Sequence, residues 1–143
     1  VFPFDVLSQA GARIMTLQPV NTVRGMKDKD GKMGCNDMRN IHDVITEWVL
    51  TKDPDIKPFT AGTDKMDRED WKKSLTMFYK RFGWDEELGC PTKQCLADLG
   101  LEQESKDLEE LGLLVDGGVA YDERTRKYDG LLKKYCGDNP ANA

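Results

Sequence analysis

The sequence predicts an all-α fold, a single compact, irregular helical domain of about five to six helices. Three observations carry that expectation. Apolar side chains recur at helical spacing in several segments, most of them opened by Asp, Asn or Thr and followed by Gly or Pro. No stretch alternates apolar and polar residues far enough to read as a strand. No internal repeat, Gly-x-Gly-x-x-Gly or low-complexity tract points to another architecture.

The first helix starts at Asp5, a good N-cap, and gathers Val6, Ala10, Ile14 and Leu17 within about 80° of one another. Pro19 lacks the amide a helix interior needs, so this helix should stop or kink near Leu17 or Gln18 and can resume towards Arg24. Residues 25–36 hold Gly25, Gly31 and Gly34 among alternating charges and read as a mobile loop. Asn36 or Asp37 caps a second helix whose stripe is Ile41, Val44, Ile45, Trp48 and Val49, ending by Thr51. Pro54 and Pro58 make 52–63 an extended crossing loop.

A third helix begins at Asp64 or Asp67, with acids in its first turn, Lys80 and Arg81 in its last, and Gly83 beyond. It should face the core with Trp71, Leu75, Phe78 and Phe82, leaving Tyr79 at the edge. After a turn from Trp84 to Gly89, Thr92 caps a short helix closed by Gly100, and another runs from about Gln103 or Ser105 to Leu111, closed by Gly112. Gly117 and Gly118 break the chain. Asp122 then leads a last helix with Tyr121, Tyr128, Leu132 and Tyr135 on one face. The helical domain spans 1–137, and 138–143 is a frayed tail.

At 143 residues the chain has room for one core. It is 33% charged with a net charge of −5, which excludes nucleic-acid binding through a bulk basic surface and a polybasic membrane anchor. No apolar run reaches the ~18 residues of a membrane helix and no signal-peptide pattern is present, so a cytoplasmic location is expected. The chain begins at Val1 although it holds six Met, which suggests a piece of a larger protein.

The residues able to carry chemistry are few. Cys35, Cys90, Cys95 and Cys136 lack the spacing of a zinc or iron–sulfur site and read as free, partly buried thiols. His42, the one His, sits about 20° from Val49 on the border of the second helix's stripe, with no nucleophile motif to serve. Asp28, Asp30 and Asp37 imitate a calcium loop, but Lys29 and Lys32 intervene and Arg39 occupies the place of its final Glu. Asp64, Asp67, Glu69 and Asp70 are accounted for by helix capping. No catalytic, cofactor-binding or metal-ligating residue is assigned.

From Asp64 to Leu101, Phe78-Tyr79, Gly83-Trp84-Asp85, Gly89-Cys90-Pro91-Thr92 and Leu96-x-x-Leu99-Gly100-Leu101 follow one another. Upstream, Arg13, Ile14, Leu17, Asn21, Arg24 and Gly25 lie between Ala10 and Met26. In order and spacing these stretches resemble the C-terminal helical region of the tungsten-dependent aldehyde ferredoxin oxidoreductase family. Phe82, where that family usually has Arg, Pro19, a turn one residue longer at 86–88 and a longer tail after Leu101 depart from its pattern.

The resemblance implies a much larger enzyme that oxidises aldehydes to carboxylic acids, with tungsten (or molybdenum) between two pyranopterins, a 4Fe-4S cluster and ferredoxin as electron acceptor. It implies that this segment binds none of those groups, has the N-terminal remainder of the same enzyme as its partner, helps enclose the cofactor and substrate channel, and is inactive alone. Homo-oligomer formation stays open. The alternative is a stand-alone helical module that binds a protein partner or small ligand through its aromatic stripe.

Overall fold

The structure, a computed structural model, describes residues 4–46, 68–121 and 123. Five helices are present among them: α1 (Phe4–Gly25), α2 (Met38–Ile41), α3 (Arg68–Phe82), α4 (Lys93–Asp98) and α5 (Glu102–Glu110). No named strand occurs among the described residues, only the isolated bridges Lys27–Met33, Trp84–Pro91 and Thr92–Val115. The fold is all-α, as its pattern predicts.

Helix α1 opens one residue before the expected cap and runs unbroken through Pro19. Pro19 costs a helix interior ~3 kcal/mol. Val20 and Val23 beyond it are completely buried, and burying each contributes ~1.5–3 kcal/mol, so packing holds the last turn and a half in place. The buried side of α1 is also not the expected one. Thr16, Pro19, Val20 and Val23 turn inwards, while Val6, Ala10 and Ile14 stay exposed and Leu17 packs only partly against the core.

The 25–36 segment is a loop, but a tightly bonded one. The Asp28 carboxylate accepts from the amides of Asp30 and Lys32, both at 2.9 Å, and Gly34 N–H donates to Met26 O. Helix α2 is far shorter than its sequence pattern predicts: Asp37 caps it as expected, but it ends at Ile41, and Ile41 and Val44 are exposed. Trp48, Val49 and the crossing loop at 52–63 lie outside the described residues.

Helix α3 ends as expected at Phe82, with Lys80 and Arg81 in its last turn. It is rotated relative to the predicted stripe, so that Tyr79 is its fully buried residue while Phe78 is exposed and Trp71, Leu75 and Phe82 are half-buried. Thr92 and Gly100 bound α4 as predicted, and α5 ends before Gly112. α5 packs on both α4 and α1. The core joins Val20, Val23 and Met38 to Tyr79, Trp84, Leu96, Leu99, Leu101 and Leu108. The last predicted helix, except at its first residues, and Cys136 lie outside the described residues.

Candidate functional site

A polar network surrounds the turn between α3 and α4. Asp85 builds that turn: its carboxylate accepts from the amides of Glu87 (3.0 Å) and Leu88 (2.7 Å), while its own amide donates to Cys90 O. Trp84 N–H donates to Tyr79 O and closes α3, and Trp84 pairs with Pro91 across the turn. Gly89 lies flat against the ring of Tyr79. With φ at +71°, it occupies a conformation side chains rarely adopt, and a Cβ there would stand 2.8 Å from the Tyr79 hydroxyl and 3.0 Å from the backbone nitrogen of Arg39.

Tyr79 is the hub. Its hydroxyl donates to Asp43 Oδ2 at 2.8 Å, and Asp43 Oδ1 lies 2.7 Å from Nδ1 of the exposed His42. The Arg39 guanidinium sits over the Tyr79 ring, 5.5 Å from its centre, and donates to Glu86 O and Lys72 O. Arg39 N–H donates to Leu88 O. One arginine therefore ties α2 to α3 and to the turn. Burial, reinforced by the hydrogen bond to Asp43 and that residue's charge, pushes the Tyr79 phenol well above its ordinary value. Such a phenol gives up no proton near neutrality, and its hydrogen bond holds the Asp43 carboxylate between Tyr79 and His42.

Cys90 closes the back of this network. Its thiol donates to Asn36 O at 2.7 Å, and burial pushes its pKa up to about 12. Cys95 donates to Phe82 O, and Cys35 is buried as a free thiol. Among the described residues no three His, Cys, Asp or Glu side chains come together to hold a metal. The Cys90 and Cys95 thiols donate to backbone carbonyls, an arrangement that does not fit a cluster or tungsten ligand set.

Neighbouring contacts lock the same layer. Thr92 is buried, donates to Gly83 O at 2.8 Å and accepts from Cys95 N–H. Arg13, on α1, donates to Leu99 O at 2.7 Å beside Gly100, and Arg24 pairs with Asp107 at 2.5 Å. A cavity of about 660 Å3 opens beside Trp84 and Thr92, rimmed by Asp85, Glu87, Asp116 and Glu123. Lys80 and Glu86, paired at 3.3 Å, share that rim.

Most of the residues singled out by spacing thus converge: Tyr79, Gly83, Trp84, Asp85, Gly89 and Thr92 in one layer, with Arg13 reaching its edge at Leu99. His42 reaches the same network, through Asp43 and not through a helical stripe. Asp28 and Asp30 serve their own loop, and Glu69 and Asp70 pair with Lys72 and Lys73 along α3. Asp64 and Asp67 lie outside the described residues. Sequence reasoning missed Asp43 and Arg39. The one available signal was the phenol of Tyr79, since a tyrosine drawn into a core needs a partner for its hydroxyl.

The comparison with known families covers these same residues. The sequence model of the aldehyde ferredoxin oxidoreductase family, domains 2 & 3, matches residues 3–101. The chain belongs to the aldehyde ferredoxin oxidoreductase family. No solved structure matches it. In this family member the matched part ends at Leu101, while the chain continues through α5 and packs Leu108, Leu113, Leu114 and Val115 back onto the core. No described helix is long and apolar enough to cross a membrane.

Proposed function

We propose that this chain is the C-terminal helical part, residues 1–137, of a tungsten- or molybdenum-pterin enzyme that oxidises aldehydes to carboxylic acids. An aldehyde and a water molecule give a carboxylic acid, two protons and two electrons, and ferredoxin takes the electrons. The metal pterin and the iron–sulfur cluster supply that chemistry from the N-terminal remainder of the polypeptide. This helical part helps enclose the cofactor and substrate channel and keeps bulk water from an oxygen-sensitive centre. It has no activity by itself and works in the cytoplasm.

The family match over 3–101 is the observation that carries this reading. It is supported by the way Arg13, Asp85 and Thr92 commit their polar groups to backbone and Tyr79 commits its hydroxyl to Asp43, which suits a scaffold. Tungsten, molybdenum and iron content of the purified chain provides the test. The expected result is no stoichiometric metal, with metal and aldehyde oxidation both present when the chain is produced with its upstream polypeptide carrying a Cys-x2-Cys-x3-Cys motif. Stoichiometric metal on the isolated chain overturns the placement of the site.

A further inference from the structure

The family match and the cavity beside Trp84 divide at the same place. Lys80, Gly83, Trp84, Asp85 and Thr92, all within the matched residues 3–101, form one wall, whereas Asp116, Gly118 and Val119 on the other wall lie beyond them. The chain reaches this second wall from α5. Leu113 and Leu114 both donate to Leu108 O, so the backbone is fixed to that helix as far as Leu114. Residues 115–121 then cross the start of α4. Val115 bridges Thr92, the amides of Lys93 and Gln94 donate to Val115 O at 2.8 Å and Gly117 O at 3.0 Å, and Tyr121 N–H donates to Asp98 Oδ2 at 2.8 Å. Val115 and Tyr121 are half-buried, and residues 116–120 between them are exposed, whereas Leu108 of α5 is buried in the core. A segment with main-chain bonds but no fully buried side chain belongs to the low-stability end of a fold, where local opening precedes global unfolding.

Gly118 makes the closest approach. Its φ is +107°, and a Cβ there would stand 2.2 Å from Thr92 Oγ1, 2.9 Å from Thr92 Cβ and 3.0 Å from Gln94 Cβ. Thr92 cannot turn aside, because its hydroxyl donates to Gly83 O and accepts from Cys95 N–H, and its branched side chain is buried. The fit of the segment on α4 therefore depends on a hydrogen standing in place of a methyl group. We propose that residues 115–121 form a strap that lifts off the start of α4 and reseats as a unit, latched by Gly118 against Thr92, while α5 and the core stay folded. Lifted, the strap frees the first two amides of α4 and opens the cavity beside Trp84. Seated, it closes that wall, so the matched part of the chain carries a movable cover that comes from beyond its own end.

Amide hydrogen exchange of the full 143-residue chain, read residue by residue by NMR, tests the strap. Trp84 and Leu101, whose amides donate to Tyr79 O and Leu96 O, report the core. In the unaltered chain the Lys93, Gln94 and Tyr121 amides are expected to open together, with protection factors at least about tenfold below those of Trp84 and Leu101. Gly118→Ala is expected to lower the protection of Lys93 and Gln94 by about tenfold or more again, leaving Trp84 and Leu101 within about twofold. Gly117→Ala also places a side chain at positive φ, +83°, but with open space around its Cβ, and is expected to lower protection less than Gly118→Ala. Exchange of all five amides in a single step overturns the proposal, since the segment then opens only with the core. So does a Gly118→Ala chain that exchanges like the unaltered one, or one that fails to fold, which makes the segment part of the core. Equal losses in the two variants overturn it as well, because backbone strain and not contact with Thr92 then sets the opening.

Discussion

At Gly89 one missing methyl decides whether the layer around Tyr79 can close. Any side chain there meets the Tyr79 ring end and the Arg39 backbone nitrogen, and the neighbouring backbone cannot yield as a flexible side chain would. Gly89→Ala is expected to cost ~2–4 kcal/mol, combining the left-handed backbone penalty with overpacking. Denaturant unfolding measures it, and a loss below ~1 kcal/mol contradicts the close approach. Cys90 gives a second residue-scale expectation. Its thiol titrates at about 12 when folded against an ordinary 9.0, so the folded state holds its proton where the unfolded state loses it. The contribution to stability is complete below pH 9 and is lost as pH rises towards 12, with Tyr79 adding to the loss above its ordinary 10.0. Stability measured between pH 8 and 11 is expected to fall, and Cys90→Ala to reduce the slope by up to about one proton per molecule. An unaltered slope in that variant removes Cys90 from the cause.

Among the elements, those specified by neighbours in sequence are the ones the sequence makes legible. Thr92 caps α4 and Gly100 closes it because both signals act within one turn. Where distant residues compete, local rules fail. Pro19 does not end α1, since Val20 and Val23 gain more from burial than the proline costs. The apolar stripe after Ile41 does not extend α2, since the Asp43 carboxylate is held by Tyr79, 36 residues further on. The Trp84–Gly89 turn was visible as a motif, but the partners that hold it, Arg39 and Asp43, come from a different element and carry no local signature. Thr92→Val probes the legible part. It removes the α4 cap and strands Gly83 O inside the core, which is expected to cost ~2–3 kcal/mol by denaturant unfolding. A cost under ~0.5 kcal/mol means that neither bond contributes.

For the whole molecule, the boundary of the family match and the boundary of the folded unit do not coincide. The match ends at Leu101, yet the first amides of α4, Lys93 and Gln94, donate to Val115 O and Gly117 O, beyond that point. Leu108 is buried in the core, Asn36 donates to Leu113 O, Asp107 pairs with Arg24, and Tyr121 N–H donates to Asp98. Removing everything after Leu101 strips two helix-start amides of their acceptors, removes the partner of Arg24 and opens Leu96 and Leu101 to water. The lost hydrogen bonds cost ~0.5–1.5 kcal/mol each, and burial of Leu108 alone contributes ~1.5–3 kcal/mol. Together these losses approach the 5–15 kcal/mol that holds a domain folded. A chain ending at Leu101 is therefore expected to lose its near-ultraviolet dichroism, which reports the packed Tyr79–Trp84 pair, and its cooperative thermal transition. A chain ending at Glu123 is expected to keep both. If the shorter chain retains the transition with the same midpoint, residues 102–121 are an appendage laid over a finished core, and the contacts of α5 do not hold the layer around Tyr79 together.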